Sequence, residues 1–309
     1  MISVLFTGGG GVGNEILWHD LKNRYNVFFA DVNKDLIHPS IPNNRKYKIP
    51  YPKSEFFLFK LKNICIKNNI DLIIPSVDEE LLHLSQNLDF FSPIKILIPD
   101  VKYINFALDK LKTINTLKNY KINVPHTFKI TDSFEKVNFP LIVKPLSGRG
   151  SRDIFFVSKN EVKKLSEFLL LKNERYIAQE KVSGIEYTVQ MVCDEKKKLA
   201  AIVPVKVRLK KGITILAETD YNPYVIEACL KIHNTIPARG CYNIQLILTK
   251  NKKVFPFEIN PRISTTFCMT IASGIDPIMI FMKGNNEKNL LKSKSKLKLK
   301  RFWKNFIIK

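Results

Sequence analysis

Acidic residues are in short supply in this chain of 309: 28 Asp and Glu stand against 50 Lys and Arg, a formal net charge of +22. Long apolar runs are missing; none approaches the roughly 20 residues a membrane helix needs, so no span is expected. The N-terminus, Met1-Ile2-Ser3-Val4-Leu5-Phe6-Thr7, lacks the basic segment of a secretion signal and runs straight into glycines, which reads as a first strand. Cysteine is sparse and scattered. Cys65, Cys193, Cys229, Cys241 and Cys268 form no C-x-x-C pair, a poor framework for disulfides or metal and one that fits a reducing cytoplasm. The histidines (His19, His38, His83, His126, His233) share no motif, and no Ser-His-Asp or Cys-His arrangement suggests a covalent nucleophile.

The positive charge invites a nucleic-acid or membrane-surface reading. Its distribution weakens that reading: from Lys283 to Lys309 ten basic residues face one acid, Glu287, and the remaining excess is spread thinly. A solvated lysine-rich surface with a basic tail is the better expectation, with no specific nucleic-acid partner.

Ile2–Phe6, Val27–Ala30, Leu72–Ile74 and Ile96–Ile98 are apolar runs separated by amphipathic stretches around Ile16–Leu21, Glu55–Lys67 and Glu79–Leu88. Such alternation predicts an α/β domain with a doubly wound parallel sheet over 1–105. Tyr103–Asn119 reads as one helix. Beyond it the pattern is α+β and largely antiparallel, with strands at Leu141–Val143, Ile154–Val157, Tyr176–Gln179, Tyr187–Val192, Ala200–Val207, Asn243–Leu248 and Val254–Ile259, and helices at Glu161–Leu171 and Pro223–Asn234. The divisions expected are a helix-plus-lid lobe over 106–180, a larger lobe over 181–290 and a basic tail over 291–309.

Four motifs carry chemistry. Gly8, Gly10 and Gly13 fit G-x-G-x-x-G between a strand and a helix, with Asp31 ending the next strand; alone this indicates a dinucleotide-dependent oxidoreductase, or merely a tight turn. Leu141-Ile142-Val143-Lys144-Pro145 is a strand ending in a lysine, followed by Ser147-Gly148-Arg149-Gly150-Ser151 and another strand. Backbone N–H groups in such a hairpin can close over phosphates, with Lys144 as a point charge. Tyr176–Tyr187 is a strand that stops at Glu180, crosses Gly184 and restarts at Glu186, a hinge able to meet an adenine edge and a ribose.

Phe257-Glu258-Ile259-Asn260-Pro261-Arg262 is the strongest signal. Alternation places Glu258 and Asn260 on one strand face, with Phe257 and Ile259 on the other. A two-residue turn at Asn251-Lys252 would set Gln245 opposite Glu258 and Asn243 opposite Asn260. Hard oxygen donors gathered on one face suit magnesium, or manganese in its place.

Taken in order, Asp109-Lys110, Val143-Lys144-Pro145 with its glycine loop, Gln179-Glu180, Glu186, Asn243-Ile244-Gln245 and Glu258–Arg262 resemble the ATP-grasp superfamily. The likeness is greatest to the ATP-binding halves of carbamoyl-phosphate synthase large subunits and their stand-alone relatives. It extends to Ile74-Pro75-Ser76-Val77-Asp78-Glu79-Glu80-Leu81 in the first domain and covers the chain from about Met1 to Pro277. The resemblance implies an ATP-dependent carboxylate ligase that forms an acyl phosphate and passes it to an amine or other nucleophile. Lys110 and Lys144 would contact the phosphates, Gly148, Arg149, Gly150 and Ser151 would form the lid, Glu180 and Val182 would bracket adenine, and Glu186 would hold ribose. Gln245, Glu258 and Asn260 would bind magnesium, and Arg262 would stabilise the transferred phosphate. Lys206 and Arg208, two apart on one strand, are candidates for the substrate carboxylate. The oligomeric state is left open, a homo-oligomer included.

Overall fold

Segments that are apolar at every position need cover on both faces, the environment of a central parallel strand. The computed structural model, which describes residues 1–130, 137–148, 153–171 and 175–302, provides it. Its first part runs β1 (Ser3–Thr7), α1 (Asn14–Leu21), β2 (Asn26–Asp31), β3 (Lys46–Lys48), α2 (Phe57–Lys67), β4 (Leu72–Ile74), α3 (Asp78–Gln86), α4 (Leu88–Phe91) and β5 (Lys95–Ile96). All five residues of β1 are buried. The parallel sheet has the order β3-β2-β1-β4-β5. The chain reverses its travel between β1 and β4, so the loops after these two strands open a crevice at their carboxyl ends.

The single helix expected over Tyr103–Asn119 is two, α5 (Val101–Ala107) and α6 (Lys110–Asn119). Asp109 adopts an extended conformation between them and its carboxylate accepts the Lys112 N–H at 2.8 Å, an N-cap that restarts the helix. A small antiparallel lobe follows: β6 (Thr127–Lys129), β7 (Leu141–Pro145), β8 (Phe155–Val157), α7 (Val162–Leu171) and β9 (Tyr176–Glu180), in sheet order β6-β9-β7-β8. Phe128, Leu141, Val143, Val157 and Ala178 give it a core of its own.

The large lobe comprises β10 (Ile185–Cys193), β11 (Leu199–Lys211), β12 (Ile213–Thr219), α8 (Pro223–Thr235), β13 (Cys241–Leu248), β14 (Val254–Asn260), α9 (Phe267–Ala272), α10 (Pro277–Lys283) and β15 (Lys298–Lys300). Its antiparallel sheet has the order β14-β13-β10-β11-β12-β15. Tyr187, Val189, Met191, Tyr242 and Ile244 point to one face and pack with residues of α5, α6 and α8. On the other face, Val192 and Val203 join Phe267 and Phe281 in a core shared with Val4, Phe6 and Phe29 of the first domain. Where that core stops, the same face turns polar.

The alternating lysines of residues 292–300 also read as an edge strand, and residues 291–300 are held along the large lobe. Leu291 N–H donates to Ala200 O at 2.8 Å, Lys296 N–H to Thr219 O at 2.7 Å, and Leu299 is buried where β15 pairs with β12. Alternating lysines on an edge strand keep one side solvated while Leu299 points inward.

The β13–β14 turn also differs from expectation. Lys250, Asn251 and Lys252 form a three-residue loop closed by Thr249 N–H to Lys253 O at 2.9 Å, with Lys252 left-handed at φ 62°. The pairs nearest the loop are Leu248 with Val254, Ile247 with Phe255 and Leu246 with Pro256. A bulge at Phe257 then inserts one residue, restoring Gln245 opposite Glu258 and Asn243 opposite Asn260. Turn and bulge each depart by one residue and cancel.

Candidate functional site

The polar face of the large sheet is built by register. On β10 Thr188 pairs with Gln245 and Gln190 with Asn243; across β13 these meet Glu258 and Asn260. The bulge rotates Phe257 out of the alternation expected for it: its ring centroid lies 5.3 Å from Lys144 Nζ, and its carbonyl accepts from that nitrogen at 3.5 Å. So Phe257 lies on the side of Glu258, and not with the core residue Ile259.

Three cations face these oxygens. Lys110, the first residue of α6, donates to Gly148 O at 2.9 Å and lies 3.6 Å from Glu258 Oε1. Lys210 on β11 donates to Glu186 Oε1 at 2.6 Å and reaches Gln245 Oε1 at 3.5 Å. Lys144 on β7 donates to Gln179 Oε1 at 3.0 Å, while Gln179 Nε2 donates to Thr127 Oγ1 at 2.8 Å. Lys144 is 4% exposed. Among the described residues it has no ion pair, and burial, then repulsion from Lys110 and Lys210, outweighs attraction to Glu258, bringing it from the usual 10.5 to about 8. A buried ammonium with a lowered pKa, beside two ion-paired ones, is a cavity short of an anion.

Arg262 leaves β14 toward the first domain, where it is ion-paired with Asp78, the first residue of α3, and donates to Ile263 O at 3.0 Å. Both side chains are nearly buried. Two residues on, Glu80 accepts from Thr7 Oγ1 at 2.5 Å and from the N–H groups of Ser76 and Val77 at 3.1 Å. Burial raises it to about 7 against the lowering effect of these bonds. The crevice between β1 and β4 is thereby tied to the Arg262 loop.

Of the residues selected by motif, Lys110, Lys144, Gln245, Glu258 and Asn260 come together, with Glu186 at one end and Arg262 at the other. Glu180 ends β9, its carboxylate accepting Asn138 N–H at 2.8 Å, and half-buried Val182 follows. Gly184 is required there: a Cβ would lie 2.4 Å from Leu248 O, so only glycine lets the link cross β13 this closely. Gly148 is left-handed at φ 135°, while Arg149, Gly150 and Ser151 lie outside the described residues.

Lys206 and Arg208 are not brought to Arg262. Lys206 sits opposite Tyr187, on the helix-covered face, and Arg208 pairs with Glu218 at 2.5 Å. Both border a small cavity of about 370 Å³ with Glu186 and Lys210, at the hinge end. Irregular pairing between Val207 and Lys210 separates their facing from that of Lys210. The motif reading missed Lys210 for this reason, and gave Asp78 and Gln179 no role.

Oxygen donors alone line the polar face, and among the described residues no cluster of three or more His, Cys, Asp or Glu exists to favour a softer metal. Asn243 Nδ2 donates to Thr188 Oγ1 at 2.7 Å, while its Oδ1 is buried with no donor. An orphaned carbonyl oxygen beside Asn260 fits a hard cation or its water.

The glycines of the first loop are occupied by protein. Gly10 N–H donates to Asp31 Oδ2 at 2.9 Å, so the acid expected to meet a ribose holds the loop instead. Gly8 is left-handed at φ 64°, and a Cβ there would lie 2.4 Å from Ser76 Oγ. They serve close packing of the loops after β1 and β4.

Fold and site together define a two-lobed clasp: Lys144 of the small lobe, with Lys110 and Lys210, faces the oxygen donors of the large sheet. The ATP-grasp domain model matches residues 107–266, and the chain belongs to the ATP-grasp family. It is similar to D-alanine–D-alanine ligase of Aquifex aeolicus, 28% identical over half of this chain and 58% of that protein. The chain spans about half the length of the curated relatives it matches. Among solved structures, biotin carboxylase of Campylobacter jejuni in a nucleotide complex superposes with a TM-score of 0.70 at 16% identity, over 96% of this chain and 74% of that one. L-amino acid ligase of Bacillus licheniformis gives 0.68 at 14%, over 91% and 73%. These structural likenesses establish the fold.

Proposed function

We propose that the chain is an ATP-dependent carboxylate ligase that makes a carbon–nitrogen bond. The observation that carries this reading is Lys144, an ammonium buried opposite an oxygen-lined face and without an ion pair among the described residues. A nucleotide phosphate would balance its charge, and Lys110 and Lys210 could exchange carboxylate partners for phosphoryl oxygens. The D-alanine–D-alanine ligase likeness supports the same chemistry.

In this reading adenine lies against the link from Glu180 to Val182, with ribose at Glu186, and Gly148–Ser151 cover the phosphates. Gln245, Glu258 and Asn260 would hold magnesium, which when bound neutralises charge on the phosphoryl oxygens. Lys144 and Arg262 oppose the negative charge that builds on the group in flight. A substrate carboxylate oxygen forms a bond to the γ-phosphorus as the bond to ADP breaks. An amine then attacks the acyl carbon, and inorganic phosphate departs with the electron pair of the broken C–O bond and takes up the proton that the amine nitrogen loses. Every step depends on position and charge, and none requires a side-chain nucleophile. Free, buried cysteines favour a reducing compartment, the cytoplasm, as its location.

The test is phosphate release from ATP and magnesium against a panel of amino acids and small carboxylates, each with and without an amine. Stimulation by one carboxylate–amine pair is expected, together with a rise in melting temperature with Mg-ATP and none with NAD. Stabilisation by NAD alone, with no carboxylate-dependent turnover, would overturn the proposal.

A further inference from the structure

A second concavity lies on the first domain, away from the clasp. It encloses about 740 Å³ between β3 and α2, and is lined by Lys34, Lys46, Lys48, Lys60 and Lys67, with Tyr47, Ile49, Phe56 and Ile64 among the other residues and no carboxylate. The volume lies within the range of a ligand-sized groove.

Its walls follow from simple periodicities. On α2 and the residue before it, Phe56, Lys60, Asn63 and Lys67 recur at helical spacing and form one stripe. β3 is an outer strand of the five-stranded sheet and, among the described residues, pairs only with β2. Its outward edge therefore offers backbone donors and acceptors to whatever lies in the groove. The strand alternates Lys46-Tyr47-Lys48. Tyr47 faces α2, its hydroxyl donating to Asn68 Oδ1 at 2.6 Å, while Lys46 turns the other way and donates to Ile37 O at 3.2 Å. Lysines thus flank both faces of the bare edge, Lys60 and Lys67 on one and Lys34, Lys46 and Lys48 on the other. Burial and the nearby Lys34 lower the Lys46 pKa and outweigh the opposing pull of Asp35, so an incoming anion would relieve that charge. Phe56, 64% exposed, places an aromatic ring at the mouth.

We propose that this groove docks an extended acidic peptide, which adds to β3 as a further strand of the sheet. An added strand sends successive side chains to opposite faces, and here both faces meet lysines. Paired Glu or Asp at successive positions would each find a cation, one on either face, and an apolar residue between such pairs would rest on Phe56. A second copy of this chain is a poor occupant because its net charge of +22 opposes the approach. A compact anion would use the lysines but not the strand edge. The site does not depend on the ligase reading.

The experiment titrates the full-length protein into a fluorescein-labelled octapeptide of repeating Glu-Glu-Val, whose paired acids face both sides of an added strand, read by anisotropy at 50 mM salt. Binding in the micromolar range is expected, at least tenfold weaker for Lys60→Glu/Lys67→Glu and at least tenfold weaker for a peptide N-methylated at alternate amides. Both substitutions are exposed, so an unchanged melting temperature checks folding. Hydrogen exchange should slow over residues 43–67 in the complex. Failure of the peptide to bind, equal binding of the N-methylated peptide, or tighter capture of inorganic tripolyphosphate with the same variant sensitivity would each overturn strand addition.

Discussion

Replacing Lys144 by Met keeps the length of the side chain and removes its charge. In the nucleotide-free protein this lysine sits at about 8 and not the ordinary 10.5. At about 1.4 kcal/mol per pH unit, holding it charged costs about 3 kcal/mol at neutral pH. Its folded value is the lower one, so the cost is complete below about pH 8 and disappears as pH rises through 8 toward 10.5. About 2 kcal/mol of it should be gone by pH 9.5. Lys144→Met also removes the donor to Gln179 Oε1, a loss of about 1–3 kcal/mol that does not change with pH. The informative quantity is therefore a difference of differences. Urea unfolding of wild type and Lys144→Met at pH 7 and pH 9.5, without nucleotide, should show the stability of the variant relative to wild type falling by about 2 kcal/mol between them. Calorimetry of Mg-ATP binding at pH 8 in buffers of different ionisation enthalpy should detect uptake of about half a proton, absent in the variant. A stability gap of equal size at both pH values, with no proton uptake, would refute the view that Lys144 awaits an anion.

Glu258→Gln should lower ligase turnover about 10²–10³-fold and shift its magnesium dependence to higher concentration with little change in fold, measured as phosphate release against magnesium; superimposable curves would remove the metal face. Asp78→Asn should reduce kcat about tenfold or more with KM for ATP nearly unchanged, because Arg262 loses the partner that orients it, and Asp78→Glu should recover part of the loss; a change in KM alone would count against this. Glu80→Gln should gain stability over wild type as pH rises from 5 to 7.5. With a folded value of about 7 against 4.5 unfolded, wild type loses stability as pH rises between these values and the loss is complete above about 7; thermal melts at the two pH values provide the comparison.

What the sequence disclosed was what repeats locally. β1, β2 and β4 were legible because unbroken apolar runs leave little choice but a doubly covered strand. Lys110, Lys144 and Glu258 were legible because short motifs place them at element ends. What escaped depends on local irregularity or on chain separation. The break before Lys110 was hidden inside an apparently continuous helical pattern, though Asp109 is a good cap. Lys210 was concealed by uneven pairing of β11, which strict alternation cannot register. The β3 groove draws its lysines from residues 34 to 67, and no short window contains them as a cluster. Asp78 and Arg262 are separated by 184 positions, and only the tertiary fold makes them partners.

The bulge at Phe257 gives the gene an uneven tolerance to loss. Dropping one codon from Lys250–Lys252 would shorten a surface loop and leave the pairing beyond it free to persist. Dropping the codon for Phe257 would remove the residue that has no partner of its own, and the ladder would close with Pro256 still opposite Leu246 and Glu258 still opposite Gln245. Dropping the codon for Ile259 would instead bring Asn260 opposite Ile244, and a strand displaced by one residue exchanges its faces. Neighbouring deletions of equal size would thus differ as a smoothed strand differs from a broken site.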